Sequence, residues 1–207
     1  MADSNEIFNL THEEHRRIFE YLKAKQINGR KASRTPKAII LLGQPGSFSD
    51  GLMSSITQKF PDKNFVMIDS EELRRQHPKY EQSAMEGDGA VLEQITADAQ
   101  DWEKSLIQTA IKSQLNLVIK DSYCESGAVT ENLKRLRENG YASSIYVISA
   151  HERESILSLY QEHEEKIATQ GYSEKPRISE HNKTYEALPE TVRKIEREKS
   201  ADEIIIA

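Results

Sequence analysis

The chain has 207 residues, of which 37% are hydrophobic and 30% are charged, so it is long enough to form one sizeable domain with a polar surface. Its 28 Lys and Arg residues against 34 Asp and Glu residues give a formal net charge of −6, which argues against nonspecific DNA binding, and no nucleic-acid partner is expected. The single cysteine, Cys124, excludes an intramolecular disulfide and any zinc site built on two cysteines, and we expect no metal site. No apolar run reaches the ~20 residues that a membrane helix needs, and the acidic N-terminus shows no secretory signal. We therefore expect a cytoplasmic protein without an integral membrane segment.

Residues 1–36 predict a helix and a linker ahead of the main domain. Thr11 and Glu14 have the spacing of a capping box, so we expect a helix from about Thr11 to Gln26. A basic, polar linker follows over residues 30–36. Residues 37–207 then form the principal domain.

Five short apolar runs predict buried strands. They lack the alternation that marks a half-exposed strand, so both faces of each strand are expected to be covered. The runs comprise residues 38–42, 64–68, 116–119, 144–148 and 203–206. Helical patterns separate them, and the last pattern, over residues 179–199, is predicted to break at Leu188 and Pro189. Strands that alternate with helices predict an α/β fold with a five-stranded parallel sheet.

The loop after the first strand lies where open α/β sheets bind ligands. A phosphate-binding P-loop has the sequence G-x-x-x-x-G-K-[ST], whereas this chain has Gly43-Gln44-Pro45-Gly46-Ser47-Phe48-Ser49-Asp50. Gly43 matches the first glycine. Phe48 stands at the second glycine, Ser49 at the phosphate-binding lysine and Asp50 at the Mg²⁺-binding hydroxyl. The segment is either a degenerate nucleotide-binding loop or a simple turn between strand and helix.

Asp50 argues against a bound nucleotide. A carboxylate about 4 Å from a phosphate oxygen costs roughly 4 kcal/mol per pair of unit charges at an effective dielectric constant near 20. That repulsion corresponds to about three decades of affinity. A helix N-terminus returns only about 0.3–2 kcal/mol for an anion. We therefore expect no cofactor, and no binding of Mg-ATP tighter than about 1 mM.

Two groups of acidic residues are candidates for chemistry or binding. Asp69 and Glu71 follow the second strand, and they are either a general base with its neighbour or a helix cap at Asp69 followed by a surface acid. Glu162, Glu164 and Glu165 cluster in a predicted helix, either as a solvated face or as a surface for a protein partner.

Several motifs, in order along the chain, resemble the zeta toxin family. Leu41 to Ser47 resembles the P-loop entry of that family, which has the sequence G-Q-P-G-S-G-K-T. Ile68 to Glu71, followed by His77 and Pro78, resembles its I-D-x-D and H-P elements, and the resemblance extends over residues 37–207. It implies a P-loop kinase-like, three-layer α/β/α fold and, by analogy with such kinases, the strand order 2-3-1-4-5.

Zeta toxins are P-loop kinases that phosphorylate UDP-N-acetylglucosamine, usually as the toxin of a plasmid maintenance pair. The resemblance places the P-loop lysine of the family on Ser49, its Ser/Thr on Asp50 and its catalytic base on Glu71. The acid that ends the third strand in the family falls on Lys120, and the following glycine falls on Asp121. The cationic and metal-binding parts of the family's site are thus replaced at the matched positions.

Two further positions carried over by the resemblance also depart from the family. The substrate-contacting acid of the long helix falls near Glu103 or Lys104, and the lid arginine falls near Glu162, a reversal of charge. Phosphoryl transfer depends on positioning and on electrostatic stabilisation of the transferred group. The replacements therefore predict that the kinase site has been lost.

The resulting hypothesis is a catalytically degenerate zeta-toxin-like protein that acts by binding another protein, with no catalytic residue expected. A plasmid or phage accessory role fits the family, such as inhibition of a competitor's conjugation or toxin machinery. The alternative is an active ATP-dependent kinase of UDP-N-acetylglucosamine or another small hydroxyl substrate. That alternative requires Mg-ATP and places catalysis on Glu71 and Asp69.

Overall fold

The computed structural model describes residues 10–48, 50–121 and 126–207. Its five strands form one parallel sheet in the order β2-β3-β1-β4-β5, which confirms the predicted fold class and strand order. A 3₁₀ turn, Pro61–Lys63, precedes β2. The remaining elements are α1 (His12–Gln26), β1 (Lys37–Leu42), α2 (Asp50–Thr57), β2 (Val66–Asp69), α3 (Ser70–Arg75), α4 (Tyr80–Glu86), α5 (Gly89–Lys112), β3 (Leu117–Asp121), α6 (Ser126–Glu138), β4 (Ala142–Val147), α7 (Glu152–Gln170), α8 (Ile178–Arg197) and β5 (Glu203–Ile206).

Helices cover both faces of the sheet, which explains why the strands lack polar alternation. Ile40 and Leu42 of the central strand β1 pack into the larger core, together with residues of α1, α5, α6 and α8. Ile39 and Leu41 point to the opposite face and pack with Ile56 of α2 in a smaller core. Successive side chains of a strand point to opposite faces, so a strand covered on both faces is apolar at every position.

The N-terminal helix α1 packs against the long helix α5. Thr11 and Glu14 form the predicted capping box, with each side chain accepting a hydrogen bond from the other residue's backbone N–H. Leu22 is buried in the larger core, and the fully buried Trp102 of α5 donates its indole N–H to the carbonyl of His15 over 3.2 Å. The indole hydrogen bond satisfies the one polar group of Trp102 while its rings fill the core.

The prediction that the last helix breaks at Leu188 and Pro189 was wrong. Helix α8 continues from Ile178 to Arg197 with Pro189 inside it. Pro189 is exposed, whereas Leu188 and Ile195, before and after it, are both buried. An interior proline costs about 3 kcal/mol because one backbone hydrogen bond is lost, and burial of a continuous apolar face on both sides of the proline offsets that cost. None of the helices that the structure describes is long and apolar enough to cross a membrane.

Candidate functional site

The candidate site lies at the carboxyl ends of β1, β2 and β3. In the register of the sheet, Leu41 stands beside Lys120 and Asp69 stands on the other side of Lys120. The loop from Gly43 follows directly after β1. The parallel strands therefore bring the loop, Asp69 and Lys120 to one edge of the sheet, as expected for an open α/β fold.

The first part of the loop is held against α7. Gly46 has φ +78°, and a Cβ there would lie 2.2 Å from the backbone oxygen of Ser155, so only glycine fits. The buried side chain of Gln44 donates to the carbonyl of Ala150 over 2.9 Å and to the hydroxyl of Ser155 over 3.2 Å. Ser155 in turn lies 2.7 Å from the ring Nε2 of His181 in α8. A buried polar chain thus fastens the loop to both C-terminal helices.

The end of the loop contacts Lys120. The ammonium of Lys120 lies 5.1 Å from the centre of the Phe48 ring, within the range of a cation–π contact. Its Nζ also lies 3.2 Å from Oδ2 of Asp69 and 3.9 Å from Oε2 of Glu71. The ammonium of Lys120 therefore lies between the carboxylates of Asp69 and Glu71. It also lies under the ring of Phe48, which stands at the position of a P-loop glycine.

Burial and neighbouring charge act against each other at Lys120. Burial favours the neutral amine, but the carboxylates of Glu71 and Asp69 outweigh it and raise the pKa of Lys120 above its ordinary value. Lys120 is therefore a permanent ammonium at neutral pH. Its side chain is only 16% exposed, so solvent screens these pairs less than pairs at the surface.

Asp69 acts as a helix cap. Its Oδ1 accepts a hydrogen bond of 3.0 Å from the backbone N–H of Glu71, the second residue of α3, so the capping interpretation is confirmed. One carboxylate oxygen of Asp69 is thus used by the cap and the other by Lys120.

Glu103 faces this cluster from α5, whereas Lys104 does not. Burial, with further contributions from the charges of Asp121 and Asp69, raises the pKa of Glu103 to about 8. Lys104 is 64% exposed and pairs with Asp101 on the surface. Of the two positions that the family resemblance left open, Glu103 is the one at the site, and it is protonated at neutral pH.

A charged cavity of about 100 Å³ opens beside the loop, between α3, α7 and the segment that precedes α8. Arg74 and Glu174 pair with 2.7 Å between Nη2 and Oε2, and both side chains are nearly buried. Glu162 lines the same cavity and pairs with Lys166 over 3.5 Å. Sequence inspection missed the Arg74–Glu174 pair, because 100 positions separate its members and no local pattern marks either of them.

The predicted partner-binding acids do not share one face of α7. Glu162 is half-buried at the cavity, whereas Glu164 and Glu165 are exposed to solvent. At about 100° per residue, Glu164 points away from Glu162, whereas Glu165 lies within about 60° of it, so only Glu162 and Glu165 fall on adjoining surfaces.

Some candidate residues lie outside the structural description. Ser49 and the segment 122–125, which includes Cys124, are not among the described residues, and the same holds for the side chain of Asp50. In the part of the chain that is described, no group of three or more His, Cys, Asp or Glu residues has the arrangement of a metal site.

The chain is similar to proteins of one known family. The family model for Zeta toxin matches residues 19–207. Among curated relatives, toxin zeta of Streptococcus pyogenes is 26% identical over 138 residues, which are 67% of this chain and 48% of that protein. Toxin PezT of Streptococcus pneumoniae serotype 4 is 28% identical over 137 residues, which are 66% of this chain and 54% of that protein. The chain thus spans about half the length of the curated relatives it matches.

A solved structure shares the fold. It comes from the molecular and structural characterization of the PezAT chromosomal toxin–antitoxin system of the human pathogen Streptococcus pneumoniae. The match has a TM-score of 0.80 at 24% sequence identity and covers 97% of this chain and 78% of that chain. The structural match therefore includes α1 as well as the sheet.

Proposed function

The chain belongs to the zeta toxin family, and from that premise we propose that it is a catalytically degenerate member that acts by binding another protein. The setting we propose is a plasmid or phage accessory role, such as inhibition of a competitor's conjugation or toxin machinery. The observation that carries the proposal is the position of Lys120 between Asp69 and Glu71, beneath Phe48.

The Lys120 cluster supports loss of catalysis for an electrostatic reason. A general base must accept a proton from the substrate hydroxyl, and a carboxylate paired with an ammonium is a weaker proton acceptor. Glu71 lies 3.9 Å from Nζ of Lys120, and the ring of Phe48 covers the ammonium. Lys120 thus compensates the carboxylates internally, whereas in a kinase the metal ions supply the positive charge at this place.

The loop sequence supports the same proposal. A P-loop lysine and hydroxyl bind the phosphates and Mg²⁺, and here Ser49 and Asp50 occupy those positions. With Glu162 in the place of the lid arginine, three positions that contribute positive charge or a metal ligand in the family are neutral or acidic. Electrostatic stabilisation of a transferring phosphoryl group needs the opposite charge.

One observation favours the alternative of an active kinase of UDP-N-acetylglucosamine or another small hydroxyl substrate. Glu103, whose pKa is raised to about 8, faces the cluster that contains Glu71, so a protonated carboxyl group lies near the candidate base. This alternative requires Mg-ATP, and it is tested by calorimetry with Mg-ATP together with a measurement of phosphate transfer to UDP-N-acetylglucosamine.

Calorimetry with Mg-ATP separates the two functions. We expect no binding of Mg-ATP by the wild-type chain tighter than about 1 mM, with or without UDP-N-acetylglucosamine. The triple variant Phe48→Gly, Ser49→Lys, Asp50→Thr restores the loop pattern and is expected to gain nucleotide affinity without kinase turnover, because Lys120 and Glu162 remain. The single variant Phe48→Gly serves as the control for loop space without added charge. A micromolar isotherm, or phosphate transfer by the wild-type chain, contradicts the proposal.

The acidic residues of α7 are our candidates for partner contact. Glu165 is exposed and Glu162 lies at the rim of the cavity, so a basic partner surface can reach both. Once a partner is captured from the native host, its affinity is measured for the wild type and for the variant Glu162→Lys, Glu165→Lys over a series of salt concentrations. We expect weaker binding by the variant and a smaller salt dependence. Equal affinities for the two proteins exclude this surface. The exposed substitution Glu93→Lys in α5 is the control for a charge reversal outside the surface.

A further inference from the structure

The outer face of α7 carries an exposed apolar stripe. Leu157 is 57% exposed, Tyr160 is 48% exposed and Ile167 is 42% exposed. At 3.6 residues per turn the three side chains fall within an arc of about 80°. The opposite face of α7 packs inward, with Ser155 buried against the loop and α8. Exposed large apolar side chains aligned on one helix face indicate an interaction surface.

Two opposite charges stand on the same stripe. Arg153 and Glu164 fall between the directions of Leu157 and Tyr160 on the helix, and both are exposed. Within the part of the chain that the structure describes, neither side chain forms an ion pair. In sequence order, the four residues from Arg153 through Leu157 and Tyr160 to Glu164 are a cation, two apolar residues and an anion.

The spacing of these four residues is symmetric. The steps from Arg153 to Leu157, to Tyr160 and to Glu164 are four, three and four, so the order of steps is the same in both directions. Steps of three and four place side chains along the seam by which two helices pack. An antiparallel helix with the same sequence therefore presents a matching seam with its charges reversed in order.

We propose that α7 pairs with α7 of a second copy of this chain, antiparallel and about a two-fold axis. In this pairing Leu157 packs against Tyr160 of the second copy, and Tyr160 packs against Leu157 of the second copy. Arg153 faces Glu164 of the second copy, and the reciprocal pair forms at the other end. Both copies use the same patch, as a two-fold interface requires.

Charge complementarity favours this occupant over the others. A parallel pair of α7 helices places Glu164 against Glu164, which is repulsive. A different protein must supply its own acid and base at the matching distance, whereas a second copy supplies both. The inference goes beyond the proposed function, and it is measured on the purified chain without any partner.

The oligomeric state of the purified full-length chain tests the proposal. Sedimentation velocity over the micromolar range is expected to show a reversible monomer–dimer equilibrium. Arg153→Glu and Glu164→Arg each create two like-charge contacts per dimer and are expected to weaken dimerisation at least about tenfold. The exposed substitution Glu196→Arg in α8 changes the net charge by the same amount as Glu164→Arg and is expected to leave the dimer unchanged.

Mixing the two single variants provides the decisive measurement. One variant carries glutamate at both charged positions of the seam and the other carries arginine at both, so an equimolar mixture is expected to form a heterodimer about as tight as the wild type. Formation of the heterodimer also shows that both variants are folded. The proposal is overturned by a wild-type chain that stays monomeric, by single variants that dimerise like the wild type, or by a mixture that does not associate.

Discussion

Replacing Glu103 with Gln removes the carboxyl group whose pKa the site raises to about 8. The cause of that shift is burial, reinforced by the negative charges of Asp121 and Asp69. Gln has nearly the same shape and stays neutral at every pH. The substitution therefore isolates the free energy that ionisation of Glu103 costs the folded state.

The sign and size of the effect follow from proton linkage. In the unfolded chain Glu103 ionises near its model value of 4.5, whereas in the folded chain it keeps its proton up to about 8. Between these two pH values the folded state binds more protons, so the stability of the wild type falls as pH rises. At 1.36 kcal/mol per pKa unit, the loss between pH 5 and pH 9 is on the order of 4 kcal/mol.

Urea unfolding at pH 5 and pH 9 measures this loss. We expect Glu103→Gln to lie within about 1 kcal/mol of the wild type at pH 5, and to be more stable by on the order of 4 kcal/mol at pH 9. For a chain of this size each kcal/mol shifts Tm by about 2–4 °C, so a thermal scan at pH 9 separates the proteins clearly. Glu93→Gln is the matched control, because Glu93 is exposed on the same helix α5.

The explanation fails if Glu103→Gln and the wild type differ by the same free energy at both pH values. It fails equally if Glu93→Gln reproduces the pH dependence of Glu103→Gln. Either result means that Glu103 is hydrated in the folded protein and does not face the buried cluster.

Three further predictions concern the site and its loop. Lys120→Met leaves two carboxylates without their cation and should lower the free energy of unfolding by about 3 kcal/mol. The exposed control Lys104→Met should change it by less than about 0.5 kcal/mol. Equal free energies of unfolding for the two variants in urea contradict the ion cluster. Gly46→Ala combines a positive φ with a 2.2 Å clash and should destabilise more than Gly140→Ala, which has φ +76° but open space around its Cβ; equal losses of Tm would show that the loop does not press on α7. Glu71→Gln should leave the cellular phenotype of the folded protein intact, although a true general base supplies about 10²–10⁴-fold in rate; a lost phenotype supports the kinase alternative.

Local sequence signals were sufficient for the elements of the fold. The apolar runs predicted all five strands, and the capping box at Thr11 and Glu14 and the cap at Asp69 lie where the sequence indicated. These features depend on residues a few positions apart, so the sequence contains the complete interaction. The strand order depended on the family resemblance, because periodicity alone does not choose among the orders of a parallel sheet.

Local patterns were insufficient where a side chain is defined by a distant neighbour. Pro189 predicted a break, but buried residues on both sides keep α8 continuous. The sequence left Glu103 and Lys104 as equal candidates, and the rotation of one residue along α5 turns Glu103 to the site and Lys104 to solvent. Packing of a whole helix face decides both cases.

The sequence by itself determined an α/β chain of the zeta toxin type whose loop lacks the P-loop lysine and hydroxyl. Only the tertiary structure decided which charged and aromatic groups lie together at the site. The parallel register of β2 and β3 sets Lys120 beside Asp69, 51 positions away in the chain, and the turn after β1 lays Phe48 over the same ammonium. The interactions of a buried charge such as Lys120 are strong because the dielectric constant around it is low, so they depend on the groups that lie near it in space. The sheet brings those groups together, although they are far apart in the sequence.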